Sequence, residues 1–206
     1  QHLYKTLIHY YGTRDIIFHP ICDAIDMVPF KDNEIDWVKP CLCPPLRPGD
    51  QCYVKFNYFM DTEEIIADDY YGFMGDDDMI EDCLATELKK STADIIYISN
   101  YRGDRIPNDG GCPHPVHPGI PMVPDDVKPN WIGLGQFYAK GWLLRKVRFN
   151  TVVGCGDGLM AQNLLGLGTV EFMPNYFTFG NYFQPGRHTD KNKFLKVDWE
   201  LPQIID

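Results

Sequence analysis

The chain has 206 residues, 44% of them hydrophobic and 14% aromatic, which is enough for one sizeable core and predicts a single domain over residues 1–206. Its formal net charge of −10 argues against nucleic acid and anionic membrane as partners, because phosphate binding needs clustered Lys and Arg. No apolar run in the sequence reaches the length of a membrane span.

Prolines interrupt residues 1–50, and this segment is predicted to wrap the domain as edge strands and loop. The next segment, Cys52–Phe59, alternates apolar and polar residues. Val54, Phe56 and Tyr58 would share one face, the period-two pattern of a half-buried strand. We therefore expect a core strand here.

An acidic loop follows, with Gly72 and Gly75 before the aspartates at 76–78. These aspartates lack the ligand alternation and terminal Glu of a calcium loop, so the pattern predicts a solvated acidic turn and no metal site. The segment Asp94–Ser99 is β-branched and aromatic, which predicts another strand.

Residues 107–129 form a Pro-rich stretch without apolar periodicity, predicted to be a long inserted loop with a functional or interface role. Beyond it, apolar and polar residues alternate over Val147–Thr151 and over Leu195–Leu201, which predicts two strands with one solvent-exposed face each. With no helix-period stretch evident, the pattern favours an all-β fold, a two-sheet antiparallel sandwich.

The cysteines are predicted to form a disulfide framework in an oxidising compartment, which implies a secreted, extracellular protein. The odd count leaves one thiol that is free or bridges to another chain, consistent with a homo- or hetero-oligomer. The one-residue gap between Cys41 and Cys43 is poor for zinc, so no metal is expected. The seven positions are Cys22, Cys41, Cys43, Cys52, Cys83, Cys112 and Cys155.

A set of weak motifs occurs in a fixed order along the chain: Tyr53–Phe59, Gly72–Gly75, Ala85–Glu87, Ile96–Ile98, Gly141-Trp142, Asn150–Gly154, Asp157-Gly158 and Thr178–Gly180. Their order resembles that of the alginate lyases of polysaccharide lyase family 14. The resemblance covers roughly residues 50–206 and implies a β-jelly roll. Residues 176–184 are similar to a second jelly-roll lyase signature.

The catalytic chemistry that this resemblance implies is mostly missing from the chain. Uronate β-elimination needs cations that neutralise the substrate carboxylate, with a Tyr or His as base and acid. The family's Lys falls near Asp69, its Arg on Glu87 and its Ser on Ala85, while Tyr97 keeps one position of its Tyr pair. The resemblance therefore implies a catalytically degenerate member.

The function expected from this resemblance is a secreted, non-catalytic ligand-binding or storage subunit of an oligomer, by analogy a mollusc egg-fluid protein. Its ligand would be a neutral glycan or an apolar pigment such as a carotenoid, with no other cofactor, because aromatics stack on sugars and polyenes. The residues expected to bind it are Tyr70, Tyr71, Glu87, Tyr97, Tyr101 and Trp142.

Two alternatives stay open. The first is a polysaccharide lyase with relocated groups, using Tyr97 as acid and base, Arg102 or Lys90 as carboxylate clamp, or His188 from the last loop. The second is a purely structural role, with the Pro-rich loop and the acidic turn as assembly contacts.

Overall fold

The computed structural model describes residues 16–23, 37–47, 52–75, 78–80, 83–102, 124–129 and 131–180. Within these ranges, the side chains at 79, 100–102, 174–177 and 179–180 are outside the description. The predicted strand at 195–201, His188, Cys112 and the Pro-rich segment up to 123 lie outside the described residues. No helix in the described ranges combines the length and apolar character needed to cross a bilayer.

Helices and strands are mixed along the described parts of the chain. In chain order they are β1 (Ile21–Cys22), β2 (Cys41–Leu42), α1 (Tyr53–Thr62), β3 (Tyr70–Gly72), β4 (Met79–Ile80), α2 (Leu84–Leu88), β5 (Ile95–Arg102), a 3-10 turn (Pro124–Asp126), β6 (Phe137–Lys140), α3 (Gly141–Leu144), α4 (Gly156–Leu164) and β7 (Val170–Gly180).

The main sheet has five strands in the order β3-β6-β5-β7-β4, and β1 and β2 form a separate parallel pair. In the main sheet, β5 and β7 are parallel, whereas the β3–β6, β5–β6 and β4–β7 pairs are antiparallel. Strands β3, β5 and β7 therefore run in one direction, and β6 and β4 run in the other. A bulge between Ile98 and Ser99 interrupts the β5–β7 register, at the point where β7 carries Pro174.

Both faces of the main sheet are covered, because β5 is buried on both sides. Ile95 and Tyr97 pack on one face with residues of α1 and α4, while Ile96 and Ile98 pack on the other with α2. Each of these four side chains is 0% exposed. An unbroken apolar run of this kind is typical of a strand enclosed between two layers of helices.

The predicted all-β, two-sheet antiparallel jelly roll is wrong: the fold is mixed α/β. The parallel β5–β7 pair excludes a purely antiparallel sandwich, since parallel neighbours need a crossover connection. Here β6, α3 and α4 lie within that connection.

Several of the predicted elements are corrected as well. Residues 53–62 form a helix instead of the strand expected over Cys52–Phe59, because Tyr53, Phe59 and Met60 are the side chains buried, at helical spacing. Ala85–Glu87 lies within α2, and Val147–Thr151 has no strand structure. The strand predicted over Asp94–Ser99 is confirmed as β5.

The six described cysteines form no disulfide with one another. Cys22, Cys41 and Cys43 are buried around the β1–β2 pair. Burial, followed by a hydrogen bond with Glu63, raises the pKa of the Cys41 thiol to about 12. Such a thiol is protonated at neutral pH and is chemically inert.

The amino ends of β5 and β7 are joined by Asp94. Its Oδ2 accepts hydrogen bonds from the Thr169 backbone N–H at 2.9 Å and from the Thr169 hydroxyl at 2.8 Å. These bonds favour the charged form and lower the pKa of Asp94 from its ordinary value of 3.8. A lowered folded-state pKa stabilises the fold above the ordinary value, and this stabilisation disappears as pH falls through the lowered pKa.

We expect Asp94→Asn to reduce the free energy of unfolding at neutral pH. Below about pH 4, the free energy of unfolding should fall less steeply with pH in this variant than in the wild type. Urea unfolding at a series of pH values measures both effects. Asp125→Asn, at an exposed position in the 3-10 turn, is the matched control and should behave like the wild type. An unchanged pH profile for Asp94→Asn would contradict this role.

Candidate active site

The carboxyl ends of β3, β5 and β7 lie along one edge of the main sheet, which is where α/β proteins bind ligands. After β3, the chain passes through Phe73–Gly75 and reaches Asp78 just before β4, whose Met79 pairs with Phe179 near the end of β7. Asp78 therefore lies at this carboxyl edge. Residues 76 and 77 lie outside the described residues.

Asp78 is held against the turn that precedes it. Its Oδ2 accepts a hydrogen bond from the Gly75 N–H at 3.0 Å, and its own N–H donates to the Gly75 carbonyl at 3.3 Å. Among the described residues, no group of three or more His, Cys, Asp or Glu side chains is placed to hold a metal ion.

The loop before β6 is fixed to this edge through Gly135. The Gly135 N–H donates to the Phe73 carbonyl at 2.5 Å, and the Thr178 hydroxyl of β7 donates to the Gly135 carbonyl. Gly135 has φ +79°, and a Cβ there would lie 2.6 Å from Thr178 Cγ2. Only glycine meets both the backbone and the packing requirement at this position.

An aromatic cluster beneath the edge joins it to α1 and to the loop before α4. Phe73 contacts Phe56 of α1 at 5.1 Å between ring centroids and Phe149 at 5.0 Å. Phe149 in turn stacks on Tyr53 at 5.5 Å with nearly parallel rings. Rigid aromatic packing of this type fixes the relative positions of the three segments.

The loop from Phe149 to Gly154 is bound to α1 by hydrogen bonds. The Asn57 side chain donates to the Phe149 carbonyl and accepts from the Phe149 N–H, both at 2.9 Å. The Tyr53 hydroxyl donates to the Gly154 carbonyl at 3.1 Å. The start of α4 therefore has a fixed position against the first turn of α1.

Asp157 lies in the first turn of α4 and is partly exposed. Its Oδ1 accepts the Gly158 N–H at 2.8 Å, and a carboxylate near a helix N-terminus is stabilised in its charged form. Burial, followed by the negative charge of Asp157, raises the pKa of the Tyr53 phenol. Asp157 is therefore an anionic group beside Tyr53, and a carboxylate can accept a proton from a substrate hydroxyl.

A cavity of about 320 Å³ lies where the chain leaves the carboxyl end of β2 and meets α1. It brings two cations, Arg47 and Lys55, together with the Tyr58 phenol and the apolar residues Pro45, Leu46 and Val54. On a chain of net charge −10, this local pair of cations favours an anionic ligand. The apolar walls suit a flat organic group attached to it.

The predicted ligand-binding residues are divided between the two faces of the main sheet. Tyr71 and Trp142 pack against the same core as α1 and α4, whereas Tyr70 packs against the α2 side. The Tyr70 hydroxyl donates to the Ala93 carbonyl, and the Tyr71 hydroxyl accepts the Ile66 N–H at 2.9 Å. These side chains do not line one groove.

Tyr97 is 0% exposed, stacks on Phe172 and donates its hydroxyl hydrogen bond to the Ala161 carbonyl at 2.6 Å. Burial also raises the pKa of this phenol. Lys90, the alternative clamp, pairs with Glu87 at 2.7 Å in the region of α2, which packs on the opposite face of the sheet from Tyr97.

Because they belong to opposite faces of the sheet, Tyr97 and Lys90 are not brought together. The side chains of Tyr101 and Arg102 are outside the description.

Sequence reasoning missed Asp78, which it assigned to a solvated acidic turn, and Asp157, which it treated as part of a motif of the resemblance. It also missed Gly135. One signal was available: the acidic run follows the short segment 70–72 after three residues, close to the carboxyl end of a strand. A second signal was Gly156-Asp157-Gly158, in which a carboxylate stands between two glycines. Neither signal shows by itself where the two aspartates lie in the fold.

The fold and this edge define an α/β protein with a candidate active site. Neither a protein-family model nor a curated protein matches the chain. A match among solved structures is the crystal structure of S. aureus TarS 1–349, a glycosyltransferase, at 12% sequence identity and a TM-score of 0.58.

The match covers 87% of this chain and 56% of the TarS structure. This chain therefore spans little more than half the length of that TarS structure. At this identity, the likeness establishes the fold.

We expect Gly135→Ala to lower the free energy of unfolding by about 1–3 kcal/mol, because alanine is strained at φ +79° and its methyl group would meet Thr178. Chemical denaturation monitored by circular dichroism measures the change. Gly166→Ala is the matched control, since a Cβ there has no neighbour within 4 Å. Equal stability of the two variants would contradict the role of Gly135.

Proposed function

We propose that this chain is part of a glycosyltransferase that transfers a sugar from a nucleotide-sugar donor to an acceptor hydroxyl. The observation that carries the proposal is the Asp157 carboxylate beside Tyr53, whose ring stacks on Phe149 next to Phe73 after β3, in a fold that resembles that of TarS. The reaction class is proposed from the likeness to TarS, and the roles in the reaction are assigned to side chains of this chain.

In the proposed reaction, the acceptor oxygen forms a bond to the anomeric carbon of the donor. The bond from that carbon to the diphosphate breaks, and the nucleoside diphosphate leaves with the bonding electrons. The hydroxyl proton passes to the Asp157 carboxylate, which acts as general base. A single displacement of this kind inverts the anomeric configuration.

The cavity beside α1 is the proposed position of the nucleoside diphosphate. Arg47 and Lys55 would neutralise the phosphates, and the Tyr58 ring with Pro45 and Leu46 would contact the nucleoside. This assignment explains why a strongly acidic chain places two cations around one cavity.

The storage role, the carotenoid or glycan ligand, the oligomeric partners and the secreted location stay predictions, as does the uronate lyase alternative. The storage role, the ligand and the lyase alternative depend on the jelly-roll resemblance, and the described sheet is mixed α/β instead. The secreted location and the oligomer depend on the cysteines, and the six described cysteines form no disulfide with one another. For this reason none of them is the function that we put forward.

We expect the purified protein to release nucleoside diphosphate from at least one member of a panel of nucleotide sugars supplied with sugar acceptors. Asp157→Asn should lower kcat by about 100-fold or more, with a small change in the KM for the donor, because it removes the proton acceptor and keeps the shape. A coupled assay for the released nucleotide measures both constants.

The matched control for Asp157→Asn is Asp68→Asn, an exposed position before the amino end of β3, at the opposite edge of the sheet. It should retain wild-type turnover. Absence of turnover with every donor, or equal activity of Asp157→Asn and the wild type, would overturn the proposal.

We expect Arg47→Gln and Lys55→Gln each to weaken the binding of a nucleoside diphosphate by about tenfold, since each removes a charge-assisted contact to phosphate. Isothermal titration calorimetry at two salt concentrations measures the loss and its salt dependence. Lys89→Gln, exposed after α2 on the other side of the sheet, is the control. If Arg47→Gln and Lys55→Gln bind the nucleoside diphosphate as tightly as Lys89→Gln does, the nucleotide binds elsewhere.

A further inference from the structure

Two adjacent valines beside the candidate active site are exposed. Val152 is 86% exposed and Val153 is 37% exposed. Single exposed apolar residues are common and need no functional explanation. These two differ because the loop that carries them is fixed and lies next to Asp157.

The loop is held from within and from both sides. The Asn150 Oδ1 accepts the N–H of Val152 at 2.9 Å and that of Val153 at 3.3 Å. Asn57 binds the residue before Asn150, and Tyr53 binds Gly154, the residue after Val153. A ligand that contacts the valines therefore causes little loss of conformational entropy in the loop, which favours binding.

Tyr53 contacts both the loop that carries the valines and the residue before Asp157. Tyr53 donates its hydrogen bond to Gly154, and its ring packs so closely on Gly156 that a Cβ there would lie 2.7 Å from Tyr53 Cδ2. Asp157 is the next residue along the chain. The apolar pair and the proposed general base thus lie on either side of the residues that contact Tyr53, at the start of α4.

We infer that Val152 and Val153 form an apolar contact for the acceptor, which carries an aliphatic or aromatic group next to its reacting hydroxyl. This inference rests on the proposed glycosyl transfer and deepens it by naming the acceptor class. A neutral apolar group suits the position, because the nearby Asp157 and the net charge of −10 oppose an anionic acceptor. The contact contributes binding and takes part in no bond change.

The test compares p-nitrophenyl glycosides with methyl glycosides of glucose, galactose and N-acetylglucosamine as acceptors, with whichever nucleotide sugar supports turnover. In the wild type, the p-nitrophenyl acceptor should have the lower KM. Val152→Ser combined with Val153→Ser should raise that KM by about tenfold and leave the methyl glycoside within about twofold, because only the aromatic acceptor loses buried apolar area.

Leu167→Ser is the matched control, an apolar residue that is 40% exposed on the loop after α4, and it should leave both KM values unchanged. Val152→Ile should retain the preference for the aromatic acceptor. Thermal unfolding of Val152→Ser alone should match the wild type, since this side chain is 86% exposed. Its KM for the p-nitrophenyl acceptor should rise in the same direction as that of the double variant.

A double variant that raises the KM of both acceptor types equally, or of neither, overturns the acceptor contact while the glycosyl transfer stands. Absence of transfer to any hydroxyl, with any donor, overturns both proposals.

Discussion

The parallel pairing of β5 with β7 is the constraint on which the rest of the structure depends. Ile95–Ile98 is buried on both faces, so helices must cover the sheet on both sides. The parallel direction also requires the long connection that contains β6, α3 and α4. That connection brings the start of α4, and Asp157 with it, to the region of α1.

The position of the candidate site is set by side chains that hydrogen-bond to distant backbone. Asn57 binds Phe149, 92 residues away in the sequence, and Tyr53 binds Gly154, 101 residues away. Thr178 binds Gly135 in the same way across the carboxyl edge. A fixed frame of this type is what a reaction needs, because reacting groups must keep their geometry when substrate binds.

The charge distribution separates a binding region from the rest of an acidic chain. Arg47 and Lys55 line one cavity, whereas Asp78 lies at the carboxyl edge of the main sheet and Asp157 lies in the first turn of α4 beside Tyr53. Cations suit the phosphates of a donor, and a carboxylate suits the removal of a proton from a neutral acceptor. The proposed role in glycosyl transfer uses both features.

The strand at β5 could be predicted from the sequence, because a β-branched run is a local signal. The helix at Tyr53–Thr62 could not, since a ten-residue apolar pattern satisfies both periods and only burial against Phe73 and Phe149 decides between them. The pairing of the strands and the position of Asp157 beside Tyr53 follow from the tertiary structure alone. These outcomes depend on contacts between segments far apart in the chain, and no local pattern encodes them.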